Sequence, residues 1–360
     1  MREIAEVGGS VRIFAGGQTV ADVAESAIPA RDIVREPSII VKSRGNIGFT
    51  FYEQPFSHKS ELWSYTLSNP LIIQKFVYYY LLTKVNALQD IARATSVKLP
   101  QLGVRDTDAL RIPVPPLEVQ REIVRILDNF TELEAELEAE LEARREQYSF
   151  YRAQLLTYPI ESSVRWSTLG DISTRVSSGA TPLAGSNEYY DGGTIPWLRT
   201  AEVRFVDIWD TNMRITEKAL KDTAAKWIPA NCVIVAISGA TAGRSAVNRI
   251  PMTTNQHCCN FEVDPAQANF RYVFYWVRSQ YEQIKALGQG ARADLNAGII
   301  KNIAIPIPSL EDQERIALFL DRFDALVNDL SIGLPAELAA RRKQYEYYRD
   351  RLLTFEETPA

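Results

Sequence analysis

The sequence is poor in the residues that most often carry chemistry in proteins: it has 3 cysteines and 2 histidines among 360 residues. Three cysteines cannot build a disulfide framework, and no Cys-x-x-Cys spacing suits zinc. The only cluster is His257-Cys258-Cys259, whose consecutive side chains would point to opposite faces of a strand. We therefore interpret it as a buried structural cluster and predict no metal site.

Long apolar runs are also missing. The longest, from Leu71 to Leu82, contains Gln74 and Lys75 and is shorter than the roughly 20 residues that span a bilayer. The N-terminal residues have no positively charged segment followed by an apolar one, as a secretory signal would have. We expect a cytoplasmic protein with no membrane segment.

No catalytic constellation is recognisable either. The sequence has no Walker loop, and Asn69-Pro-Leu-Ile departs from the Asn-Pro-Pro-aromatic signature of amino-methyltransferases. The composition, with 46% hydrophobic and 24% charged residues, is that of an ordinary globular protein. We predict a non-catalytic chain that holds no cofactor. Its length favours two domains or a repeated one, because single cores rarely grow past about 250 to 300 residues.

The strongest signal is an internal repeat. The segment Ile112-Pro-Val-Pro-Pro-Leu-Glu-Val-Gln recurs as Ile305-Pro-Ile-Pro-Ser-Leu-Glu-Asp-Gln at an offset of 193, and Ala143-Arg-Arg-Glu-Gln-Tyr recurs as Ala340-Arg-Arg-Lys-Gln-Tyr at an offset of 197. Fainter matches pair residues 40–48 with 235–243 and residues 75–80 with 271–276. The sequence therefore predicts a globular part and a spacer, each present twice.

Each spacer begins with a Pro-x-Pro turn and continues with apolar residues at three- and four-residue spacing, which is typical of an amphipathic helix. In the first spacer this pattern predicts one helix of about 40 residues, roughly 60 Å long. In the second it breaks at Gly333 and resumes after Pro335, which predicts two helices or a kink. We expect antiparallel packing, with an apolar stripe of Leu133, Leu137 and Leu141 against Val327 and Leu330.

The globular parts show short β-rich runs such as Ser38–Val41, Cys232–Ile237 and Asn260–Val263, separated by turn residues. Both parts carry a small excess of basic residues, and the spacers hold the excess acid that gives the chain its net charge of −5. Glycine-bearing loops follow two of the runs, Ser43–Gly48 and Ser238–Ser245. Such loops allow a phosphate or a base to approach the backbone closely, or form tight turns between strands.

The paired spacer blocks, closed by Arg-Arg-x-Gln-Tyr-x-x-Tyr-Arg and Leu-Leu-Thr-aromatic, resemble the conserved regions of DNA-specificity subunits of Type I restriction-modification systems. In the second globular part Leu169-Gly-Asp-Ile, Gly179–Pro182, Ile195–Leu198 and Thr254–Gln256 also look like the family's target recognition domain. The resemblance covers nearly the whole chain. One departure is a first globular part about 27 residues shorter than the second, with Arg2–Ile4 aligned to Gly170–Ile172 and no clear match between Phe14–Ala27 and Gly179–Trp197.

The resemblance implies an α+β chain with a pseudo-twofold internal repeat, in which two α/β target recognition domains are separated by long antiparallel coiled-coil spacer helices. It divides the chain into recognition domains at 1–111 and 159–304 and spacers at 112–158 and 305–360. It implies that each domain reads half of a split site in double-stranded DNA. Two methylation subunits with S-adenosylmethionine, and restriction subunits with ATP and Mg, would be the partners.

Polar residues in the loops are the candidate DNA contacts. In the first part they are Lys42, Ser43, Arg44, His58 and Lys59, and in the second Arg199, Thr200, Arg204, Ser238, Thr241, Arg244, Asn255, Gln256 and His257. Candidate contacts to the methylation subunits are the repeated spacer residues Arg144, Tyr148, Tyr151, Arg341, Tyr345 and Tyr348. Each could instead be an ordinary surface or turn residue.

Two other classes of protein fit part of the pattern: a coiled-coil adaptor without DNA readout, and a recognition module that acts without methylation partners. A neighbouring gene with the Asn-Pro-Pro-aromatic signature would separate them from a specificity subunit.

Overall fold

A computed structural model describes residues 4–17, 19–95, 98–159, 163–288 and 295–355. The chain folds into two compact units: residues 1–140 with 336–360 form unit 1, and residues 141–335 form unit 2. Each unit therefore contains one globular part together with pieces of both spacers.

The globular part of unit 1 contains two small sheets and three helices. Its strands are β1 (Val11–Phe14), β2 (Val20–Val23), β3 (Ser38–Lys42), β4 (Gly48–Tyr52), β5 (Phe56–His58) and β6 (Leu62–Tyr65). They form sheets in the orders β2-β1-β5 and β4-β3-β6. The helices are α1 (Gln74–Thr83), α2 (Val85–Thr95) and α3 (Val104–Asp108). Fully buried β3 and α1 side chains, among them Ile39, Val41 and Phe76, share one core.

The first spacer is a single helix, α4 (Leu117–Leu156), of 40 residues, as the apolar pattern predicts. It begins directly after Pro115-Pro116, and the N–H groups of Val119 and Gln120 donate to the carbonyl of Pro116. Proline is well tolerated at this position because the first helical N–H groups have no partner within the helix.

The globular part of unit 2 has more strands. They are β7 (Arg165–Thr168), β8 (Ser173–Ser178), β9 (Ile195–Leu198), β10 (Asp207–Ile208), β11 (Arg214–Ile215), β12 (Trp227–Ile228), β13 (Val233–Ala236), β14 (Ser245–Asn248), β15 (Met252–Thr254), β16 (Cys258–Val263) and β17 (Ala304–Ile307). They form sheets in the orders β10-β14-β13-β16-β8, β11-β9-β15-β12 and β17-β7. The helices are α5 (Asn187–Tyr190), α6 (Glu217–Asp222), α7 (Phe270–Ser279), α8 (Tyr281–Ala286) and α9 (Ala297–Lys301).

The second spacer consists of two helices, α10 (Leu310–Asn328) and α11 (Leu334–Leu352), which confirms the predicted break. At Gly333 a Cβ atom would lie 2.4 Å from the carbonyl oxygen of Ala325, so only glycine fits this turn. None of the helices in the described ranges has the length and apolar composition needed to cross a membrane.

A buried glutamine connects each globular part to the helix that follows it. Gln120 is fully buried, and its Oε1 accepts the N–H of Ile73, just before α1, at 2.8 Å. Its Nε2 donates to the carbonyl oxygens of Leu71 and Pro115 at 2.9 and 2.7 Å. The side chain therefore satisfies backbone groups on both sides of the junction between the globular part and α4.

The same connection occurs in unit 2. Gln313 is fully buried; its Oε1 accepts the N–H of Asn269, just before α7, at 2.8 Å, and its Nε2 donates to the carbonyl of Pro308 at 2.9 Å. Gln313 is the repeat counterpart of Gln120 at the offset of 193. The glutamine that the sequence shows in both Leu-Glu-x-Gln blocks is thus a structural anchor.

A repeated aspartate makes a second connection eight residues, or about two helix turns, further on. In unit 1 Asp128 accepts hydrogen bonds from Lys75 Nζ at 2.9 Å and from the hydroxyl of Tyr79 at 2.5 Å. In unit 2 its counterpart, Asp321, accepts from Arg271 Nε at 2.9 Å and from the Tyr275 hydroxyl at 2.6 Å. Burial, together with the hydrogen bond to the aspartate, raises the pKa of both phenols, which therefore stay protonated donors.

Within each unit the helices of the two repeats pack against each other. In unit 1 the ring of Phe130 on α4 lies 5.7 Å from that of Tyr348 on α11, and Arg342 of α11 bonds Glu134 at 2.6 Å and also Glu138. Along these contacts the residue numbers of α11 increase while those of α4 decrease, and Leu353 packs in the same core as Ile123. The two helices are therefore antiparallel.

Unit 2 contains the reciprocal pair. The ring of Phe323 on α10, the counterpart of Phe130, lies 5.5 Å from Tyr148 and 6.4 Å from Tyr151 on α4. Tyr151 also lies 5.7 Å from Phe319, so this pair is antiparallel as well. Each repeat therefore supplies the phenylalanine of one helix pair and the tyrosines of the other.

The predicted stripe was wrong at Leu330. Its side chain is 83% exposed, because α10 ends at Asn328 and Leu330 falls in the turn that follows. Leu133 and Leu137 instead line a groove with Glu337 and Arg341 of α11 in unit 1.

The strand pairing relates the beginning of the first globular part to the second part. Phe14 of β1 pairs with His58 of β5 in parallel, and Leu198 of β9 pairs in the same way with Thr254 of β15, so Phe14 corresponds to Leu198. The described residues that precede β1 contain no counterparts of β7 and β8. The aligned residues 2 and 3 lie outside the described ranges.

Replacing Gln120 by alanine should destabilise unit 1. The substitution leaves the buried Ile73 N–H without an acceptor, and such a loss costs about 1–3 kcal/mol. Urea unfolding of the whole chain, followed by circular dichroism, measures the change. The matched control is Gln344→Ala on exposed α11, which should change the unfolding free energy by less than about 0.5 kcal/mol. Equal effects of the two substitutions would contradict the anchoring role.

Candidate nucleic-acid interface

Three connections converge at one end of the unit 1 sheets: the loop after β1, the loop after β3 and the turn after β5. The hydroxyl of Ser43 donates to the carbonyl of Glu61, and Glu61 Oε1 accepts the N–H of Gly16 at 3.2 Å. The N–H of Lys59 donates to the carbonyl of Phe14 at 2.9 Å. These bonds bring all five candidate residues of the first part to one surface.

An open cleft of 530 Å³ lies between these connections. It is lined by Lys42 and Arg44 from the second loop, Gly16 and Gly17 from the first, and the carboxylate-bearing Glu61. Gly45 has a φ of +73°, so the loop needs a residue without a Cβ there. Arg44 and Lys59 are exposed and available to an anionic ligand, and His58 is half-buried, with Nδ1 3.2 Å from the carbonyl oxygen of Lys59.

The equivalent connections converge in unit 2. The hydroxyl of Thr241 donates to the carbonyl of Thr200 at 2.9 Å, and the N–H of Asn255 donates to the carbonyl of Leu198 at 2.9 Å. The N–H of Ile237 donates to the carbonyl of His257 at 2.9 Å. The loops after β9, β13 and β15 thus form one surface.

Three arginines, Arg199, Arg204 and Arg244, lie on these loops. Arg244 follows Gly243, which has a φ of +84°, and its N–H donates to the carbonyl of Thr241 at 2.9 Å. Arg204 is exposed and its Nε donates to the carbonyl of Ala201 at 2.7 Å. The Nε groups of Arg199 and Arg244 are buried without a hydrogen-bond partner in the described part of the chain, and the Arg199 Nε lies 4.0 Å from Glu202 Oε1. An unmatched buried donor costs about 1–3 kcal/mol, so an acceptor on a bound ligand would be favourable at Arg244.

Two candidate residues have structural roles. Ser43 is 3% exposed and Asn255 is 8% exposed, and the Asn255 Oδ1 accepts the N–H of His257 at 3.2 Å. Their side chains hold loops in place and offer little surface to a ligand. Ser238 and Thr241 are half-buried, and Gln256 is exposed, with its Oε1 accepting the hydroxyl of Thr181.

The cysteines beside His257 are buried, as the alternation of strand side chains suggested. Cys258 and Cys259 have no exposed surface, and burial raises the pKa of both thiols, to about 12 for Cys259. They therefore stay neutral and pack as small apolar side chains in strand β16. Among the described residues no cluster of His, Cys, Asp and Glu has the arrangement of a metal site.

The repeated spacer residues divide into packing and surface positions. Tyr148 is 5% exposed and packs on Phe323, and Tyr345 belongs to the periphery of the unit 1 core, so both have mainly packing roles. Tyr151 and Tyr348 are 37% and 42% exposed. Arg341 of α11 is exposed and Arg144 of α4 is half-buried, and each lies beside a glutamine three residues further on.

Sequence reasoning missed several neighbours of the loops. Gly16, Gly17 and Glu61 line the unit 1 cleft, and the Lys285 Cβ lies 3.4 Å from the position that a Cβ on Gly243 would take. Thr181, held to Gln256, was also missed. Two signals were available: the Gly-Gly pair follows a strand, as the other glycine loops do, and Thr181 lies in the segment Gly179–Pro182 that resembles the family's recognition domain.

The two surfaces are counterparts of each other. Ser43 corresponds to Ser238 at an offset of 195, and Lys59 corresponds to Asn255 at an offset of 196. The strands that carry them pair in the same way, β3 with β4 and β6, and β13 with β14 and β16. One arrangement of loops is therefore built twice, with different side chains on it.

Comparison with known proteins finds the same twofold organisation. Residues 19–143 and 162–340 each match the family described as the Type I restriction modification DNA specificity domain. The specificity subunit of the Type I restriction enzyme EcoR124I/EcoR124II from Escherichia coli is 34% identical over 292 residues, which are 78% of this chain and 70% of that protein. The EcoprrI specificity subunit, also from Escherichia coli, is 30% identical over 213 residues, 54% of this chain and 51% of that protein.

Solved structures share the fold. The S subunit of a Type-I restriction-modification system from M. genitalium superposes with a TM-score of 0.62 at 16% identity, covering 99% of this chain and 92% of that chain. The HsdS subunit from Thermoanaerobacter tengcongensis gives a TM-score of 0.54 at 15% identity, covering 95% and 90%. The chain belongs to the family of Type I restriction-modification DNA specificity subunits. Its role is the recognition of DNA sequence, without catalysis of its own.

Arg244→Ala separates two modes of DNA contact. Loss of a bidentate contact to a base should cost about 1–3 kcal/mol and relax specificity at one position of the site. Loss of a phosphate contact should weaken all sequences alike and lower the salt slope by about one. Fluorescence anisotropy with specific and scrambled duplexes at several salt concentrations distinguishes them. Arg214, whose exposed guanidinium pairs with Asp210 at 2.6 Å, is the control position; unchanged binding in both Arg244→Ala and Arg214→Ala would remove Arg244 from the interface.

Proposed function

We propose that each unit reads one part of a bipartite site in double-stranded DNA. The observation that carries this proposal is the convergence of the same three connections in both units, with glycine loops and cationic side chains at each. The strands of the two units are equivalent, but the loops that they carry differ in sequence. Because contacts to base edges specify the sequence that is read, different loop side chains can read different base sequences. The functional domains are then residues 1–111 and 159–304, with the helices at 112–158 and 305–360.

The candidate residues of each surface are suited to different kinds of DNA contact. Exposed Arg44 and Lys59 and half-buried Lys42 in unit 1, and exposed Arg204 in unit 2, are suited to phosphates, which attract cations regardless of sequence. Arg199, Arg244 and Gln256 have forked donors or paired donor and acceptor groups, which can match base edges. Ser43 and Asn255 act indirectly by fixing the loops.

The helix pairs are the proposed docking sites for two methylation subunits. In unit 2 an apolar groove of 740 Å³ lies between α4 and α10, and Tyr151, Leu155, Phe319 and Phe323 line it. The repeat places Tyr348, Leu352, Ile126 and Phe130 at the corresponding positions of the α4–α11 pair in unit 1. Exposed aromatic side chains near arginines are the composition of energetically important protein interfaces.

The chemistry would belong to the partners. Methylation subunits would bind S-adenosylmethionine and modify adenine, and restriction subunits, recruited through the methylation complex, would use ATP and Mg to cut. A protein of this kind works on the chromosome, which places it in the cytoplasm. This chain would contribute the DNA contacts and the helical platform.

Replacing residues 159–304 by the corresponding part of another family member should change only one half of the recognised sequence. The unit 2 loops lie entirely within this segment, and its attachment depends on contacts that the donor must reproduce, including the Arg271–Asp321 pair. Methylation mapping of cells with the hybrid measures both halves. A hybrid with the unit 1 segment exchanged is the reciprocal control. A change in both half-sites from either exchange would contradict independent reading.

Repeating Glu134-Ala-Glu-Leu137 once should lengthen the unread gap in the DNA site by one or two base pairs. Four residues add about 6 Å to a helix, close to two base-pair steps of about 3.4 Å. The insertion preserves the four-residue apolar pattern of this part of α4. Methylation mapping gives the gap directly.

The control inserts four residues in the exposed turn near Leu330 and Ile332, which lengthens no helix and should leave the gap unchanged. Full activity with an unaltered gap in the α4 variant would mean that the helix does not set the spacing.

A further inference from the structure

The two helix pairs differ in charge at repeat-related positions, which in unit 2 line a groove. In unit 2 three arginines line the groove: Arg144 of α4, and Arg315 and Arg322 of α10. Arg144 donates to Gln147 at 2.9 Å, and Arg315 pairs with Asp312 at 2.5 Å. Arg322 is exposed and forms no ion pair within the described ranges. We call this surface the cationic groove.

The corresponding positions in unit 1 carry less positive charge. Arg144 is matched by Arg341, but Arg315 is matched by Glu122 and Arg322 by Asn129. The Glu122 carboxylate is paired with Arg125 at 2.6 Å, and Arg341 lies 3.5 Å from Glu337. We call this surface the neutral groove. Where the cationic groove has three arginines, the neutral groove therefore has one arginine, one glutamate and one asparagine.

The apolar lining differs as well. Phe319 of the cationic groove is 40% exposed, and its counterpart in the neutral groove is Ile126, a smaller side chain. Burial of an aromatic ring beside an arginine contributes more to binding than burial of an aliphatic chain beside an asparagine. The positive charge and the larger apolar side chain therefore both favour partner binding at the cationic groove.

We propose that the two methylation subunits bind unequally, and that the first occupies the cationic groove of unit 2 with an acidic, apolar-bearing surface. This inference rests on the proposed docking function of the helix pairs. Identical partner copies present the same surface to both grooves, so a difference in affinity must come from this chain. A complex with one methylation subunit, seated on unit 2, then accumulates before the second subunit binds.

Electrostatic attraction makes the difference depend on salt. Opposite charges across an interface speed association and are screened over about 8 Å at physiological ionic strength. The first binding step should therefore be about tenfold tighter than the second at low salt, and the two should approach each other as salt is raised to about 0.5 M.

Photo-crosslinking can identify the occupied groove. Phe150 of α4 and Tyr347 of α11 are repeat counterparts, 57% and 54% exposed, and their rings lie 5.6 Å from Tyr151 and 5.3 Å from Tyr348 respectively. A photoreactive phenylalanine at either position in the full chain reports which unit holds the partner. With one equivalent of the purified methylation subunit, crosslinking should predominate at position 150. With two equivalents both positions should crosslink.

The repeat supplies matched exchange variants. Arg315→Glu with Arg322→Asn gives the cationic groove the residues of the neutral one, and Glu122→Arg with Asn129→Arg does the reverse. The substitutions at Arg315 and Arg322 should remove the preference for crosslinking at position 150 and weaken binding of the first methylation subunit about tenfold. The substitutions at Glu122 and Asn129 should raise crosslinking at position 347. Circular dichroism checks that both remain helical, and all four positions are exposed.

The outcomes separate this inference from the proposed function. Crosslinking of equal strength at both positions with one equivalent, unaffected by the exchanges, overturns the unequal binding and leaves docking intact. Absence of crosslinking at both positions with excess methylation subunit overturns the docking function itself. If the arginine substitutions weaken DNA binding of the chain alone and leave methylation-subunit binding unchanged, the cationic groove contacts DNA and the inference is wrong.

Discussion

The structure depends on a buried glutamine that joins each recognition part to its helix. Gln120 and Gln313 use both ends of the amide to satisfy backbone groups that would otherwise be buried without partners. Because such groups are expensive to leave unmatched, the amide fixes where the first turn of α4 or α10 meets the helix of the globular part. About two turns further on, Asp128 and Asp321 fix the rotation of the same helices through a cation and a tyrosine.

A second constraint is that neither repeat completes its own helix pair. Phe130 packs on tyrosines from the second repeat, and Phe323 packs on tyrosines from the first. An amphipathic helix needs a partner for its apolar face, and each repeat finds this partner in the other. The interdependence explains why the repeated blocks at the two ends of each spacer occur together. It also means that the two grooves are made from residues of both repeats, so that small differences between the copies appear as differences between docking surfaces.

Much of this organisation could be predicted from the sequence. Proline turns and apolar spacing predicted α4 and the break at Gly333, because helix ends are determined by local chemistry. The glycine-bearing loops could be predicted as well, because a glycine directly after a strand is also a local sequence signal. The partners within the helix pairs could not be predicted, because an apolar stripe such as Leu133 and Leu137 fits any apolar face. Ser43 and Asn255 looked like ligand contacts but are buried, since a short polar side chain can equally well hydrogen-bond the backbone of its own loop.

We propose that this chain gives a methylation system its DNA sequence specificity through two reading units. Methylome sequencing of the native host with and without the gene is the decisive measurement. We expect that one bipartite adenine-methylated motif, with two specified parts and an unread gap, disappears when the gene is deleted and returns when the chain is supplied again. Retention of every methylated motif in the deletion strain, or loss of a continuous motif without a gap, would contradict it.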